Sequence, residues 1–305
     1  MHKSVLLEES LKFLNLKEDS VIVDCTLGYG GHSSHILKEI KKGFLFAFDQ
    51  DDEAIKFSQN RLNEVGNNYE IIRSNFVHIK SELENRKICE VDGILYDLGV
   101  SSPQLDESDR GFSFHNDAKL DMRMDTKNDF SAYEVVNEYS YNDLVRIFRD
   151  YGEEKFATSI AKRIVTEREK KQIETTLELV EIVKSSVPEK YKREKHPARK
   201  VFQAIRIEVN NELGVFEDSL NQALSIIKVG GRICVITFHS LEDRLCKEIF
   251  KRVSSVDKEL QKLPIIPEEY QPKFKLIANI EPSDEEITNN NRSRSARLRV
   301  IERVR

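Results

Sequence analysis

The sequence predicts an α/β fold: a mostly parallel sheet interrupted by an all-helical insertion. Three observations carry the prediction. Short apolar runs alternate with helical periodicity from residue 21 to residue 97. Strand signals are then almost absent from Leu105 to about residue 206, where helical spacing dominates. They return at Arg232–Phe238 and near the C-terminus. Alternating strands and helices favour parallel pairing with helices on both faces.

Residues 1–16 read as an amphipathic helix, with Val5, Leu7, Leu11 and Leu14 on or near one face. Strands follow at 21–25, 44–49, 69–73 and 92–97, with helices near 33–41, 52–64 and 77–85. The insertion shows helical spacing at 131–138, 141–150, 153–169 and 175–186. A long helix over 206–228 then leads through Gly230-Gly231 to the strand at 232–238. Phe274–Ile280 and Ala296–Ile301 read as strands, and 254–273, with three prolines, as a loop. The expected division is therefore a core in two parts, 1–105 and 206–305, around a substrate-recognition insertion at 106–205.

The segment Val21-Ile22-Val23-Asp24-Cys25-Thr26-Leu27-Gly28-Tyr29-Gly30-Gly31-His32-Ser33 is the most informative. An apolar run ends in an acid, turns through glycines and opens a helix. Glycines let the backbone approach a ligand closely, and the first N–H groups of a helix are free to bind one. The next strand ends in Asp49, about twenty residues after the first glycine, the spacing at which a carboxylate meets ribose hydroxyls. A dinucleotide fingerprint would place glycine where Ser33 stands, and Asp24 would repel a pyrophosphate. Both features speak against NAD and suit S-adenosylmethionine, which has no phosphate and carries a sulfonium. A third acid, Asp97, ends the strand at 92–97. Ligands in open α/β sheets bind beyond the carboxyl ends of the strands, so Asp24, Asp49 and Asp97 are expected at one crevice.

Net charge is −5, but it is unevenly spread. Lys190–Lys200 and Arg292–Arg305 each carry +5, leaving −15 on the rest. Such islands suit either a polyanion-binding surface or solvated faces. The four cysteines have no metal-ligand or Cys-x-x-Cys spacing, which fits a reduced cytoplasmic protein. No apolar run approaches a membrane span, Glu8 and Glu9 argue against a signal peptide, and no dense His/Cys/Asp cluster suggests a metal.

After Asp97 comes a small polar loop, Leu98-Gly99-Val100-Ser101-Ser102-Pro103-Gln104-Leu105, where an enzyme of this class would touch substrate. Asp109-Arg110-Gly111-Phe112-Ser113-Phe114 and Leu120-Asp121-Met122-Arg123-Met124-Asp125 place aromatics beside arginines. These suit stacking a flipped base and holding its phosphate, although Phe112 and Phe114 alternate and suit packing under the loop equally well. In Thr237-Phe238-His239-Ser240-Leu241-Glu242-Asp243-Arg244, Ser240 and Asp243 read as a capping box. His239 there suits either a substrate contact or a structural role.

Taken in order from about His2 to Arg299, these motifs resemble one family. They are Asp24-Cys-Thr-Leu-Gly-Tyr-Gly-Gly-His-Ser, Asp97-Leu-Gly-Val-Ser-Ser-Pro-Gln-Leu-Asp, Arg110-Gly-Phe-Ser-Phe, Leu120-Asp-Met-Arg-Met-Asp, Tyr151-Gly-Glu-Glu, Phe202-Gln-Ala-Ile-Arg-Ile, Phe238-His-Ser-Leu-Glu-Asp-Arg and Arg292-Ser-Arg-Ser-Ala. The family is that of the bacterial small-subunit ribosomal RNA cytosine-N4 methyltransferases, known as MraW or RsmH. One departure is Ala118-Lys119, where the family usually has Gly-Pro.

The resemblance implies a Rossmann-like class I S-adenosylmethionine-dependent methyltransferase fold with a helical insertion. It implies S-adenosylmethionine as methyl donor and a decoding-centre cytidine of 16S rRNA, within the 30S subunit, as acceptor. By motif match, Gly30, Gly31 and His32 would line the methionine end of the cofactor. Asp49 would hold its ribose, Phe76 would pack by its adenine, and Asp97 and Gln104 would complete the site. Asp97 is the expected proton acceptor, helped by Ser101 or Ser102. Arg110, Phe112, Phe114, Arg123 and His239 are candidate substrate contacts, and Arg292 and Arg294 candidate phosphate contacts. A homodimer is left open. The rival readings are an NAD-type oxidoreductase, a noncatalytic ribosome-binding factor, and a methyltransferase acting on another base or on protein.

Overall fold

The computed structural model describes residues 4–100, 108–194, 196–256, 259–260, 264 and 266–305. The chain divides into two compact units, residues 1–99 with 213–305, and residues 100–212.

The first unit is built on a seven-stranded sheet in the order β3-β2-β1-β4-β5-β7-β6. The strands are β1 (Val21–Asp24), β2 (Phe44–Asp49), β3 (Tyr69–Arg73), β4 (Val91–Asp97), β5 (Ile227–Thr237), β6 (Phe274–Ile280) and β7 (Arg297–Arg303). Strands β1 to β5 pair in parallel, and β7 runs antiparallel to both β5 and β6. This is the mostly parallel, Rossmann-like sheet that the sequence predicts.

Alternation along the strands sorts side chains into two apolar layers. Val23, Phe46, Ile94 and Val235 face one layer. Ile22, Leu45, Leu95 and Cys234 face the other. The first layer is covered by α4 (Ile79–Asn85), α11 (Glu212–Ile226) and α12 (Ser240–Ser254), which contribute Leu83, Phe216 and Phe250. The second is covered by α1 (Leu7–Leu14), α2 (Gly31–Glu39) and α3 (Asp52–Asn63), through Leu14, Ile36 and Leu62. Parallel strands buried on both faces read as near-continuous apolar runs, which is why β1, β2 and β4 are so plain in the sequence.

The second unit holds α5 (Ala132–Glu138), α6 (Tyr141–Asp150), α7 (Ala157–Arg168), α8 (Thr176–Ser185), α9 (Glu189–Glu194) and α10 (Ala198–Asn210). They enclose their own core, which includes Val136, Phe148, Ile160, Val183 and Ile205. Ser131 with Glu134, and Thr175 with Glu178, form capping boxes that start α5 and α8. Ala118-Lys119, the departure from the family pattern, lies against that second cap. Lys119 forms an antiparallel bridge with Thr175, and the Ala118 carbonyl accepts from the Thr176 amide at 2.8 Å.

Two expectations need correction. The helix expected over 206–228 is two helices, because Asn211 adopts a left-handed conformation (φ 47°) between α10 and α11. The first of them packs in the helical unit, so the compact units divide after Gly99 and Glu212 rather than after 105 and 205. The strand expected from residue 232 begins at Ile227. Its partner register jumps from Val91↔Ile227 to Gly93↔Arg232, and Gly230 (φ 82°) absorbs the bulge. The glycine pair expected between helix and strand is here a kink inside a strand.

Candidate active site

Parallel pairing places the carboxyl ends of β2, β1 and β4 side by side, with Asp24 in register with Ala47 and Leu95. Asp49 and Asp97 therefore project two residues further along their strands. The loop after β1 is tied to both neighbours. The Gly28 amide donates to Oδ2 of Asp49 at 2.8 Å, and the Asp97 amide donates to Oγ1 of Thr26 at 2.6 Å. Gly28 and Gly30 hold positive φ values of 50° and 72°, the left-handed conformation that glycine adopts without penalty. Gly30 leads directly into α2.

The three acids do different work. Asp24 is buried, and its two oxygens accept from the Thr26 amide (3.0 Å) and from the Ser33 hydroxyl (2.6 Å). Burial raises its carboxyl above the ordinary value, and the Ser33 bond and nearby His32 oppose the rise. Asp24 thus clamps the loop across its own turn. Ser33, which reads in the sequence only as a missing glycine, is its partner.

Asp49 accepts the Gly28 amide on one oxygen and the Asp51 amide, at 2.9 Å, on the other. The Gln50 amide also bears on it, and four lone pairs against these three backbone donors leave room for a further donor. Burial pushes this carboxyl up to about 6 against those backbone bonds.

Asp97 places Oδ2 at 3.4 Å from Nδ1 of His32. Its Oδ1 is shielded from solvent and has no hydrogen-bond partner among the described residues. A buried acceptor without a donor costs free energy, roughly 1–3 kcal/mol and more for a charged group. It fits a site whose donor comes from a ligand. Phe76 is half-buried on the turn after β3 and meets the Tyr96 ring edge-on at 5.7 Å. Tyr96 in turn bonds Ser219, whose hydroxyl donates to the Phe76 carbonyl at 2.9 Å.

The His32 side chain is 5% exposed and spent inside the protein, on Asp97 and on the Val5 carbonyl at 3.1 Å. What His32 can offer a ligand is its backbone N–H in the first turn of α2. Ser101, Ser102 and Gln104 lie outside the described residues.

The expected substrate contacts are placed differently. Phe112 is 5% exposed and belongs to the core of the helical unit, so it offers no ring face to a base. Phe114 stacks on His196 at 4.6 Å and lies beside His115 and Phe202. Arg110 donates to the carbonyls of Arg123 and Met124. Arg123 grips Asp121 through two bonds of 2.8 Å and donates to the carbonyls of Thr126 and Asn128. Burial works against the charge of Asp121, but Arg123 outweighs it and holds that carboxyl below its ordinary value. These residues brace a loop.

His239 also departs from expectation, because the cap of α12 is His239 with Glu242 rather than Ser240 with Asp243. Glu242 is 2% exposed and accepts from the amides of Phe238 and His239. The His239 ring takes the Glu242 amide on Nδ1 and lies 3.1 Å from Glu242 Oε1 through Nε2. Of the C-terminal basic run, Arg299 pairs with Asp243 through two bonds, Arg297 meets Glu281, and Arg303 donates to the Ile227 carbonyl. Arg292 and Arg294 remain exposed on a short turn before β7.

A profile of the MraW methylase family matches residues 1–304. The chain belongs to the MraW methylase family. This MraW-family chain is 54% identical over 307 residues to the ribosomal RNA small subunit methyltransferase H of Exiguobacterium sibiricum, covering 100% of this chain and 98% of that protein. Among solved structures it resembles an rRNA methylase from Streptococcus thermophilus, at 12% identity and a TM-score of 0.46, over 100% of this chain and 99% of that one. A methyltransferase from Streptococcus mutans, in complex with SAH, aligns at 13% identity and a TM-score of 0.46, over 99% of each chain.

Proposed function

We propose that this MraW-family chain transfers a methyl group from S-adenosylmethionine to the exocyclic N4 amine of a decoding-centre, P-site cytidine in 16S rRNA. The 30S subunit is the proposed substrate particle. Full-length similarity to a ribosomal RNA small subunit methyltransferase supports the substrate class. The observation that carries the chemistry is Oδ1 of Asp97, a buried acceptor without a donor among the described residues, at the strand ends beside the glycine loop.

When bound, S-adenosylmethionine supplies an electrophilic methyl group on a cationic sulfur. Asp49 would hold the ribose through its remaining accepting capacity, and Phe76 would pack by the adenine. The backbone of Gly30, Gly31 and His32 would meet the methionine end, and Gln104 is the further cofactor residue that the family resemblance implies. Asp97 has the central task. A cytosine amine is a poor nucleophile because its lone pair is delocalised into the ring. An acceptor aimed at an amine N–H favours a pyramidal nitrogen with its lone pair turned toward the methyl group. Holding donor and acceptor in line contributes roughly 7–11 kcal/mol in favourable cases. Ser101 or Ser102 assists. Unstacking the cytidine costs a few kcal/mol, which phosphate contacts at Arg292 and Arg294 help to offset.

The test is transfer from labelled S-adenosylmethionine to 30S subunits from a strain lacking the enzyme, followed by nucleoside mass spectrometry. N4-methylcytidine is the expected product. Label in another nucleoside would overturn the substrate assignment, and cofactor binding without transfer to 30S or free rRNA would favour the noncatalytic reading.

A further inference from the structure

Both ring nitrogens of His32 face acceptors that have no hydrogen to give. Nε2 lies 3.1 Å from the Val5 carbonyl oxygen, and Nδ1 lies 3.4 Å from Oδ2 of Asp97. A neutral imidazole carries one N–H and satisfies one such contact, whereas an imidazolium satisfies both. The ring is 5% exposed, so the unsatisfied contact of a neutral ring would have little solvent to turn to. Two acids act on it: Asp97 at the end of β4 and Asp24 at the end of β1, with the Val5 carbonyl meeting it from the segment before α1. Burial opposes the charge, but Asp97, Asp24 and Val5 together raise the imidazole above its ordinary value.

The surroundings hold this arrangement in place. Leu6 is buried in a left-handed conformation (φ 50°), and its amide donates to Oε1 of Glu286 at 2.8 Å. That bond anchors the residue after Val5. Ser4 covers the glycine loop so closely that a Cβ on Gly31 would meet Ser4 Oγ at 2.0 Å. On the other side, the Asp97 amide is fixed to Thr26.

We propose that His32 is a positioning residue for Asp97: held as an imidazolium between the Val5 carbonyl and Oδ2, it fixes the carboxylate and leaves Oδ1 to accept from the target amine. This rests on the methyltransferase reading above. It assigns the side chain of His32 to the acid rather than to the cofactor, and it makes the segment Ser4–Leu6 part of the catalytic support. Loss of the His32 proton would free the carboxylate to rotate, so transfer should weaken as pH rises through the raised value of the imidazole.

The first test needs no ligand. In the full chain labelled with 15N-histidine, near pH 7 and so above the ~6.5 of a free imidazole, both His32 nitrogens should show imidazolium shifts. Asp97→Asn should return the ring to its neutral form. A neutral His32 in the wild-type protein would overturn the proposal. The second test is His32→Gln, which keeps a donor for one contact. It should lower kcat on the order of 100-fold, leave KM for S-adenosylmethionine nearly unchanged and abolish the alkaline fall in rate. An unchanged kcat and pH profile would also overturn it. Absence of N4-methylcytidine with the wild-type protein breaks the methyltransferase reading alone, because the ring spectrum decides the state of His32 independently of turnover.

Discussion

The strand ends of the sheet unit and the loop around Arg123 in the helical unit treat their charged residues in opposite ways. At the strand ends of the sheet unit, Asp49 and Asp97 are fixed by backbone or side-chain partners yet keep accepting capacity. In the helical unit, Arg123 directs its guanidinium to Asp121 and to two carbonyls within the same loop. Residues that look equally functional in sequence thus divide into those that keep an open acceptor and those whose bonds serve mainly their own loop. A fixed side chain with one open lone pair is prepared for a ligand; one whose bonds all close locally maintains a fold.

The sharpest way to break this comparison is Asp97→Ala. Removing the proposed acceptor should lower methyl transfer by about 10²–10⁴-fold, read as nucleoside product per 30S, with folding checked by circular dichroism. Near-wild-type turnover would remove Asp97 from the mechanism. The counterpart in the helical unit is Phe112→Ala. As a core residue it should cost about 3–5 kcal/mol in denaturant unfolding. A variant of unchanged stability but weakened RNA binding would restore Phe112 as a stacking group.

Asp49 sharpens the comparison through pH. Its folded value of about 6 lies above its ordinary 3.8, so the folded state holds this proton more tightly than the unfolded chain does. Ionised Asp49 therefore subtracts stability as pH rises from 3.8 to about 6. A ribose hydroxyl donating to the carboxylate favours the ionised form. Affinity for S-adenosylmethionine should then weaken as pH falls below about 6, by up to about tenfold per unit, and Asp49→Asn should flatten the profile in calorimetry.

The smallest expected effect is at the exposed arginines. Reversing Arg292 and Arg294 should reduce the salt slope of RNA binding by about 0.7–0.9 for each phosphate that is no longer neutralised. Arg123→Ala should lower stability and leave that slope unchanged. A slope that responds to Arg123 instead would invert the comparison.

Legibility in the sequence followed the range of the interactions. The strands of the sheet unit were plain because burial on both faces writes a continuous apolar run, and their ends marked Asp24, Asp49 and Asp97. Capping boxes such as Thr175 with Glu178 are equally local. The break at Asn211 was hidden because one left-handed residue leaves helical spacing intact on either side. The true cap at His239 was hidden because a histidine is an unusual cap and Ser240 a familiar one. The basic run at 292–305 left a polyanion-binding surface and a solvated face both open because charge counts carry no partners: Asp243, which engages Arg299, is fifty-six positions away. The role of the Val5 carbonyl left no trace at all, since any residue supplies a carbonyl there.

The bond from Leu6 to Glu286 spans 280 positions, and it sets an order of events during synthesis. The segment that covers the glycine loop is made well before its anchor at Glu286. β4 likewise waits for β5, which follows the entire helical unit. Domains fold largely as units while the chain emerges from its N-terminal end, but this one is delivered in two instalments. A newly made molecule would therefore gain its completed site only after Glu286 has been made, and a product truncated before Glu286 would carry Asp97 without the bond that anchors Leu6.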